Sequence, residues 1–387
     1  MIEPRILKVR IAYADDHKRT VVWQDPECDW FSYEVDLDLL VEKAREIRNC
    51  LNDFVVQCMK PNGATHCGAE LKALAKAGYD LYQALFYNDG TGRNPTEIKE
   101  WLGKQENCRI NFTVIDRIHI PWGLIFDRDP ETLNGQEKDT GIDIYRDFWC
   151  IKYQLSSMYS RLCPTRSRSF TSIRLVSVLN QNVFDKVLPH LGDNEKKILD
   201  WLNTQYGPSL FGSKELIEKW KSEGEDVDIL LFYCHADGTA LSLSHNDRLS
   251  MHDFKLKLQK QVKTGDTPAC LVFLNGCSTA VGEDSGGFLD ATSKPGFCGF
   301  IGTETSVPDV FAMRYGLTFI FELLNSGKPV YQIANELRVA HWPVSLVYGT
   351  YCYPPLQILR SQEPIFPPPM LTNFSTLQLG SNATGRI

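Results

Sequence analysis

Residues 228–238 read DILLFYCHADG, and residues 270–280 read CLVFLNGCSTA. Each is an almost wholly apolar run that stops on a chemically versatile side chain, His235 in the first and Cys277 in the second, with Ala236, Gly238 and Gly276 around them. Alternation of apolar and polar residues marks a strand with one wet face, whereas a continuous apolar run marks a strand covered by helices on both faces. IRLVSVLN (173–180) and GFCGFIGTE (296–304) have the same character. Amphipathic segments lie between them: NEKKILDWLNTQY, SKELIEKWKSE and HDFKLKLQKQV, then DVFAMRYGLTFIFELLNSG and, after Pro329, VYQIANELRVAHW. Strand and helix in alternation predict an α/β fold with a sheet of mainly parallel strands flanked by helices.

The N-terminal part reads differently. Its first 35 residues alternate apolar and polar side chains, as a strand pair does, and helical spacing follows over 36–59 and 70–86. Asn94-Pro95-Thr96-Glu97 opens a further short helix, and the apolar runs at 109–116 and 118–126 come after it. A Ser/Arg-rich connector at 160–170 separates this part from the alternating region, so the boundaries are expected at 1–165, 166–358 and a Pro-rich, polar tail at 359–387.

In an open α/β sheet the working residues gather at the carboxyl ends of the strands. His235 and Cys277 occupy two such ends, and one crossover brings an imidazole and a thiol to the same edge. The thiolate is the attacking form of cysteine, and a neighbouring imidazole both helps to form it and returns a proton to a leaving amine. The small residues let a carbonyl approach the backbone, so the amides of Ala236 and Cys277 are expected to form an oxyanion hole. Each residue also has a plain structural account: a strand-end cysteine is a common small core hydrophobe, and a lone histidine there is commonly hydrogen bonded.

Composition narrows the alternatives. With 387 residues the chain has room for two cores, and its net charge of −7 gives no general attraction for nucleic acid or an anionic membrane. The N-terminus lacks the apolar core of a secretory signal, so the expected compartment is the cytoplasm and the twelve cysteines are expected to be reduced. Cys50, Cys58, His66 and Cys67 do not have the paired spacing of a zinc knuckle, so neither a metal nor another cofactor is expected. Neither G-x-S-x-G nor a phosphate-binding glycine loop occurs, which weakens a small-molecule hydrolase or nucleotide binder.

The pair FYCHADG and LVFLNGCSTA, followed by GFIGTETSVPDVFAMRYGLTFIFELLNSGKPVYQIANEL, resembles the CHAT family of caspase-like cysteine peptidases, relatives of separases and caspases. IPWGLIFDRD (120–129) is similar to the Pro-Trp segment of that family's N-terminal half, and YGTYCYPPLQI (348–358) to its closing aromatic strand. The resemblance implies a caspase-like sheet, a non-catalytic pseudo-caspase half at the N-terminus, Cys277 as nucleophile and His235 as its acid/base partner. It further implies a protein substrate, a separate activating sensor protein and a role in bacterial antiviral defence or regulated death. The alternative is a catalytically silent scaffold that binds a partner protein through the same cleft.

Two departures are noted. Many members carry Gly where this chain has Ala236, which bears on oxyanion geometry. Basic-specific relatives carry Asp two residues before the cysteine, where this chain has Asn275, so a neutral P1 residue is expected. Glu304 and Asp309 are the other acidic candidates for substrate binding, with a turn and a helix N-cap as their structural accounts. The Gly-rich stretch VGEDSGG (281–287) is an accessible place for autocleavage.

Overall fold

The computed structural model describes residues 6–24, 30–60, 67–86, 95–104, 108–114, 119–131, 141–158, 168–170, 173–223, 226–258, 270–281, 287–292, 297–352 and 356–360. The C-terminal tail beyond 360, Asn94 and most of the 281–287 stretch lie outside them. The fold is mixed α/β. The chain divides into two compact units, one drawn from Met1–Tyr159 with Trp342–Leu346 and the other from Ser160–His341 with Val347–Leu377.

In the first unit, β1 (Ile6–Tyr13), β2 (Lys18–Gln24) and β3 (Trp30–Asp36) form an antiparallel meander, one strand more than the alternation predicts. Asp36 then caps α1 (Leu37–Cys58), accepting from the Leu39 amide, and α2 (Gly68–Phe86) packs beside it. After α3 (Pro95–Gly103), β4 (Arg109–Val114) pairs parallel with β1. The apolar run at 118–126, described from 119 on, contains a 3-10 turn, Trp122–Leu124. Two short helices, α4 (Gly141–Arg146) and α5 (Trp149–Lys152), precede β5 (Gln154–Met158), which completes the sheet in the order β3-β2-β1-β4-β5. Aromatic side chains fill this core, with Trp122 stacked on Phe112 at 4.6 Å. Asp127 accepts from Trp149 Nε1, Tyr153 Oη and Lys152 Nζ, so its charge is matched where it meets the core.

In the second unit, β6 (Arg168–Phe170) is followed by β7 (Leu175–Leu179), α6 (Gln181–Val187), α7 (Asp193–Tyr206) and α8 (Ser213–Glu223). Next come β8 (Ile229–Tyr233), the short strands β9 (His235–Ala236), β10 (Ala240–Ser242) and β11 (Arg248–Ser250), and α9 (Met251–Lys257). The chain continues through β12 (Cys270–Asn275), α10 (Phe288–Thr292), β13 (Phe297–Thr303), α11 (Asp309–Asn325), α12 (Val330–Ala340), β14 (Tyr348–Cys352) and β15 (Ile358–Arg360). The central sheet has the order β14-β13-β12-β8-β7, parallel except for β14. Every residue of β8, β12 and β13 is buried, as continuous apolar runs demand. The strands follow one another across the sheet in chain order, and Leu210 forms an isolated parallel bridge with Val178 of β7. Ligand crevices in open α/β sheets form outside the carboxyl ends of the strands.

α11 is the central buried helix. Phe311, Tyr315, Phe319 and Phe321 are all in the core, and Tyr315 stacks on Tyr348 of β14 at 3.8 Å with the rings nearly parallel. Cys50, Cys58, Cys234 and Cys277 are free thiols. No helix among the described residues is long and apolar enough to cross a membrane.

Candidate active site

Register sets the site. β8 and β12 are parallel neighbours in which Tyr233 lies opposite Asn275, so His235 and Cys277 each leave the sheet two residues beyond a paired position. Gly276 makes the approach possible, because a Cβ there would lie 2.5 Å from the carbonyl oxygen of Cys234, closer than atoms pack, and 3.4 Å from the Ala236 Cβ. The strand ends are tied by the Cys234 amide, which donates to Asn275 O at 3.3 Å.

Beyond Cys277 the loop is fastened to the end of β13. The buried Thr279 hydroxyl donates to Leu274 O at 2.9 Å and accepts from the Thr303 amide at 2.9 Å, while Thr303 Oγ1 donates to Gly276 O. The Ser278 and Ala280 amides donate to Thr305 O and Thr303 O. In the middle of this fastening Ser278 adopts φ +53°, a left-handed conformation that few residues with a side chain take and that surrounding bonds must hold. The sharp turn presents Cys277, half-buried, with its own backbone N–H facing the sulfur.

His235 is exposed and opens the short strand β9, in which Ala236 pairs with Leu241 and His235 with Ser242. The sulfur does not bond to the imidazole in this structure. Instead the S–H donates to Val307 O at 3.9 Å, and the Ser306 side chain also reaches it. Burial pushes the Cys277 thiol up from its ordinary value; the nearby Asp309 charge pushes the same way, against the contacts with Val307 and Ser306. A raised thiol value means less thiolate at a given pH, so in the resting chain Cys277 is expected to react with iodoacetamide more slowly at pH 7.5 than a free peptide thiol. The deficit is about tenfold for each pH unit of the shift. Peptide mass spectrometry across a pH series reads this directly, and half-maximal alkylation below pH 7 would contradict it.

The three candidate substrate-binding residues separate. Asn275 is in the core, 2% exposed, and its amide is committed on both sides: Nδ2 donates to Ala312 O at 2.7 Å and Oδ1 accepts from Tyr348 Oη at 2.7 Å. Gly316 of α11 makes room for it, since a Cβ there would lie 2.5 Å from Nδ2. Its side chain therefore points to α11 and β14, which removes the basis for reading P1 preference from this position. Glu304 is likewise buried; its carboxylate accepts from Tyr351 Oη and its amide donates to Val347 O at 2.8 Å.

Asp309 behaves differently. Pro308 occupies the N-cap position of α11, Asp309 is the first helical residue, and no side-chain hydrogen bond caps the helix. The Tyr233 hydroxyl donates to Asp309 O at 2.7 Å, and burial holds that phenol well above its usual range, so it stays a donor. Burial also raises the Asp309 carboxyl, while the charges of His235 and Lys186 (α6) pull it down. The structure thus gathers His235, Cys277 and Asp309 at one sheet edge and leaves Asn275 and Glu304 inside. Tyr233 and the 305–308 segment complete the site and were not singled out by sequence reasoning; Tyr233 was hidden in an apolar run whose only polar atom is the hydroxyl.

No protein-family model matches the chain, and no curated protein matches it either. Among the described residues no group of three or more His, Cys, Asp and Glu side chains is placed to hold a metal ion. The side chains gathered at this edge offer a thiol, an imidazole and a carboxylate.

Proposed function

We propose that the protein is a cysteine endopeptidase of caspase-like type, in which Cys277 is the nucleophile and His235 the general acid/base. The observation that carries this reading is the equivalence of the two residues: both follow paired positions of adjacent parallel strands, at the carboxyl ends of β8 and β12. The Cys277 sulfur attacks a peptide carbonyl and forms an S–C bond, and the amides of Cys277 and Ala236 hold the oxyanion. The C–N bond then breaks with a proton passing from His235 to the amine, and water hydrolyses the thioester to a carboxylate and the regenerated thiol. The second unit carries the chemistry, and the first is a pseudo-caspase half without a catalytic role.

The resting geometry fits a latent enzyme. The sulfur is held by Val307 and Ser306 rather than by the imidazole, and its thiol value is raised by burial. A separate sensor protein that moves the 305–308 segment frees the thiol and supplies the substrate. Cytoplasmic antiviral defence or regulated cell death is the setting in which a protease gated this way is useful. The same contacts also favour a second reading, a scaffold that binds a partner protein through this edge without chemistry, and experiment divides the two. New protein N-termini in a cell lysate that appear with the wild type and are lost with His235→Ala support the peptidase. A biological activity untouched by removal of His235 or Cys277 supports the scaffold.

A further inference from the structure

β9 has two residues, too few to fix its own place, so the position of His235 is set by what grips the backbone around it. Asn180, the residue directly after β7, grips that backbone at two points. Leu179 and Tyr233 are register partners in the parallel pair β7–β8, so Asn180 stands at the same sheet edge as His235. Its backbone N–H donates to Tyr233 O at 2.8 Å, two residues before the histidine. Its side-chain Nδ2 donates to Ser242 O at 2.8 Å, and Ser242 is the residue opposite His235 in the β9–β10 ladder. The remaining polar atom, Oδ1, accepts from the Val183 amide at 3.2 Å and caps α6. Asn180 is 3% exposed, a depth at which each of these groups needs a partner. Capping alone does not call for an amide, since Asp and Ser cap a helix as well as Asn does. Asn differs from them in carrying an N–H donor beside the acceptor, and here that donor goes to the hairpin that bears His235.

We infer that Asn180 is a positioning residue for His235: its amide fixes the β9–β10 hairpin against the end of β8 and so holds the imidazole at the edge where Cys277 emerges. The inference rests on the reading of His235 and Cys277 as a catalytic pair and adds the residue that sets one against the other. Asn180 acts through the backbone at Tyr233 and Ser242 and takes no part in the chemistry.

Asn180→Ser keeps an acceptor for the Val183 amide and removes the donor to Ser242 O. Histidine side-chain NMR on the purified full chain, with the His235 signal assigned by its loss in His235→Ala, reads the placement of the imidazole. In Asn180→Ser the His235 signal is expected to shift by more than its linewidth, while that of His341, buried just after α12, stays in place. Asn180→Asp, which also keeps the cap and removes the donor, is expected to behave alike. An unmoved His235 signal in both variants overturns the inference, and so does an equal displacement of His341, which would mean a general loosening. The second readout is the rate at which a peptidyl acyloxymethyl ketone traps Cys277 in lysate from the source organism. Asn180→Ser is expected to slow trapping by about tenfold, yet to change it by less than about twofold when His235 is already alanine, because its effect passes through the histidine. Equal slowing in both backgrounds overturns the positioning role. Trapping as fast in His235→Ala as in wild type would instead count against the catalytic pair itself, and the NMR comparison still decides what Asn180 holds.

Discussion

Replacing Cys277 by alanine is expected to lower peptide-bond cleavage by on the order of 10³-fold or more while leaving the fold in place. The size follows from the chemistry: without sulfur no acyl intermediate forms, and the oxyanion amides alone supply only a small residue of the rate. Folding changes little because the side chain is half-buried at a loop, where losing one sulfur atom costs about 1 kcal/mol or less. Turnover and a denaturant unfolding curve on the same preparation check both halves. Cys277→Ser is the sharper companion, since it keeps the shape but offers a hydroxyl that is far harder to ionise. Retained cleavage in either variant would mean that the nucleophile lies elsewhere.

Asn275→Asp is expected to destabilise the second unit by about 3 kcal/mol without creating a preference for a basic P1 residue. The amide donates to Ala312 O and accepts from Tyr348 Oη in a site that is 2% exposed. A carboxylate keeps the second contact but sets an oxygen against the Ala312 carbonyl, where a donor is required. Burial would then drive the new acid to take a proton in order to restore a donor there. Chemical denaturation gives the loss, and peptides differing only at P1 read the specificity. A variant as stable as wild type with faster cleavage after Arg would show that position 275 faces the cleft after all.

The contrast between Asn275 and Cys277 shows what is readable in a sequence of this kind. β8 and β12 were legible because helices on both faces leave no place for polar residues, so each strand shows as an unbroken apolar run that ends where its strand does. Their registration, which makes His235 and Cys277 equivalent, follows from the same two end points. The orientation of Asn275 was not legible, because it depends on α11 packing against β12 and on Gly316 vacating space some forty residues downstream. Asp309 was ambiguous for a related reason. Ahead of an apolar helix an aspartate looks like a cap, and only the placement of Pro308 in the cap position leaves its carboxylate for the site. The strands β9 to β11 were missed because two- and three-residue strands carry no period to detect. The apolar run at 118–126 carried no clear period, and where it is described, from 119 on, its apolar residues are buried around a tight turn.

The central claim is that the Cys277 sulfur bonds covalently to a substrate carbonyl carbon with the help of His235. Peptidyl acyloxymethyl ketones with Arg, Leu or Asp at P1, which trap a cysteine peptidase at the attacking sulfur, test it when added to the protein in lysate from the source organism. Peptide mass spectrometry then locates the adduct. The account predicts an adduct on Cys277 for at least one P1 residue in wild type, and at least a tenfold slower one in His235→Ala. Adducts confined to other cysteines, or equal labelling of Cys277 in both proteins, would contradict it.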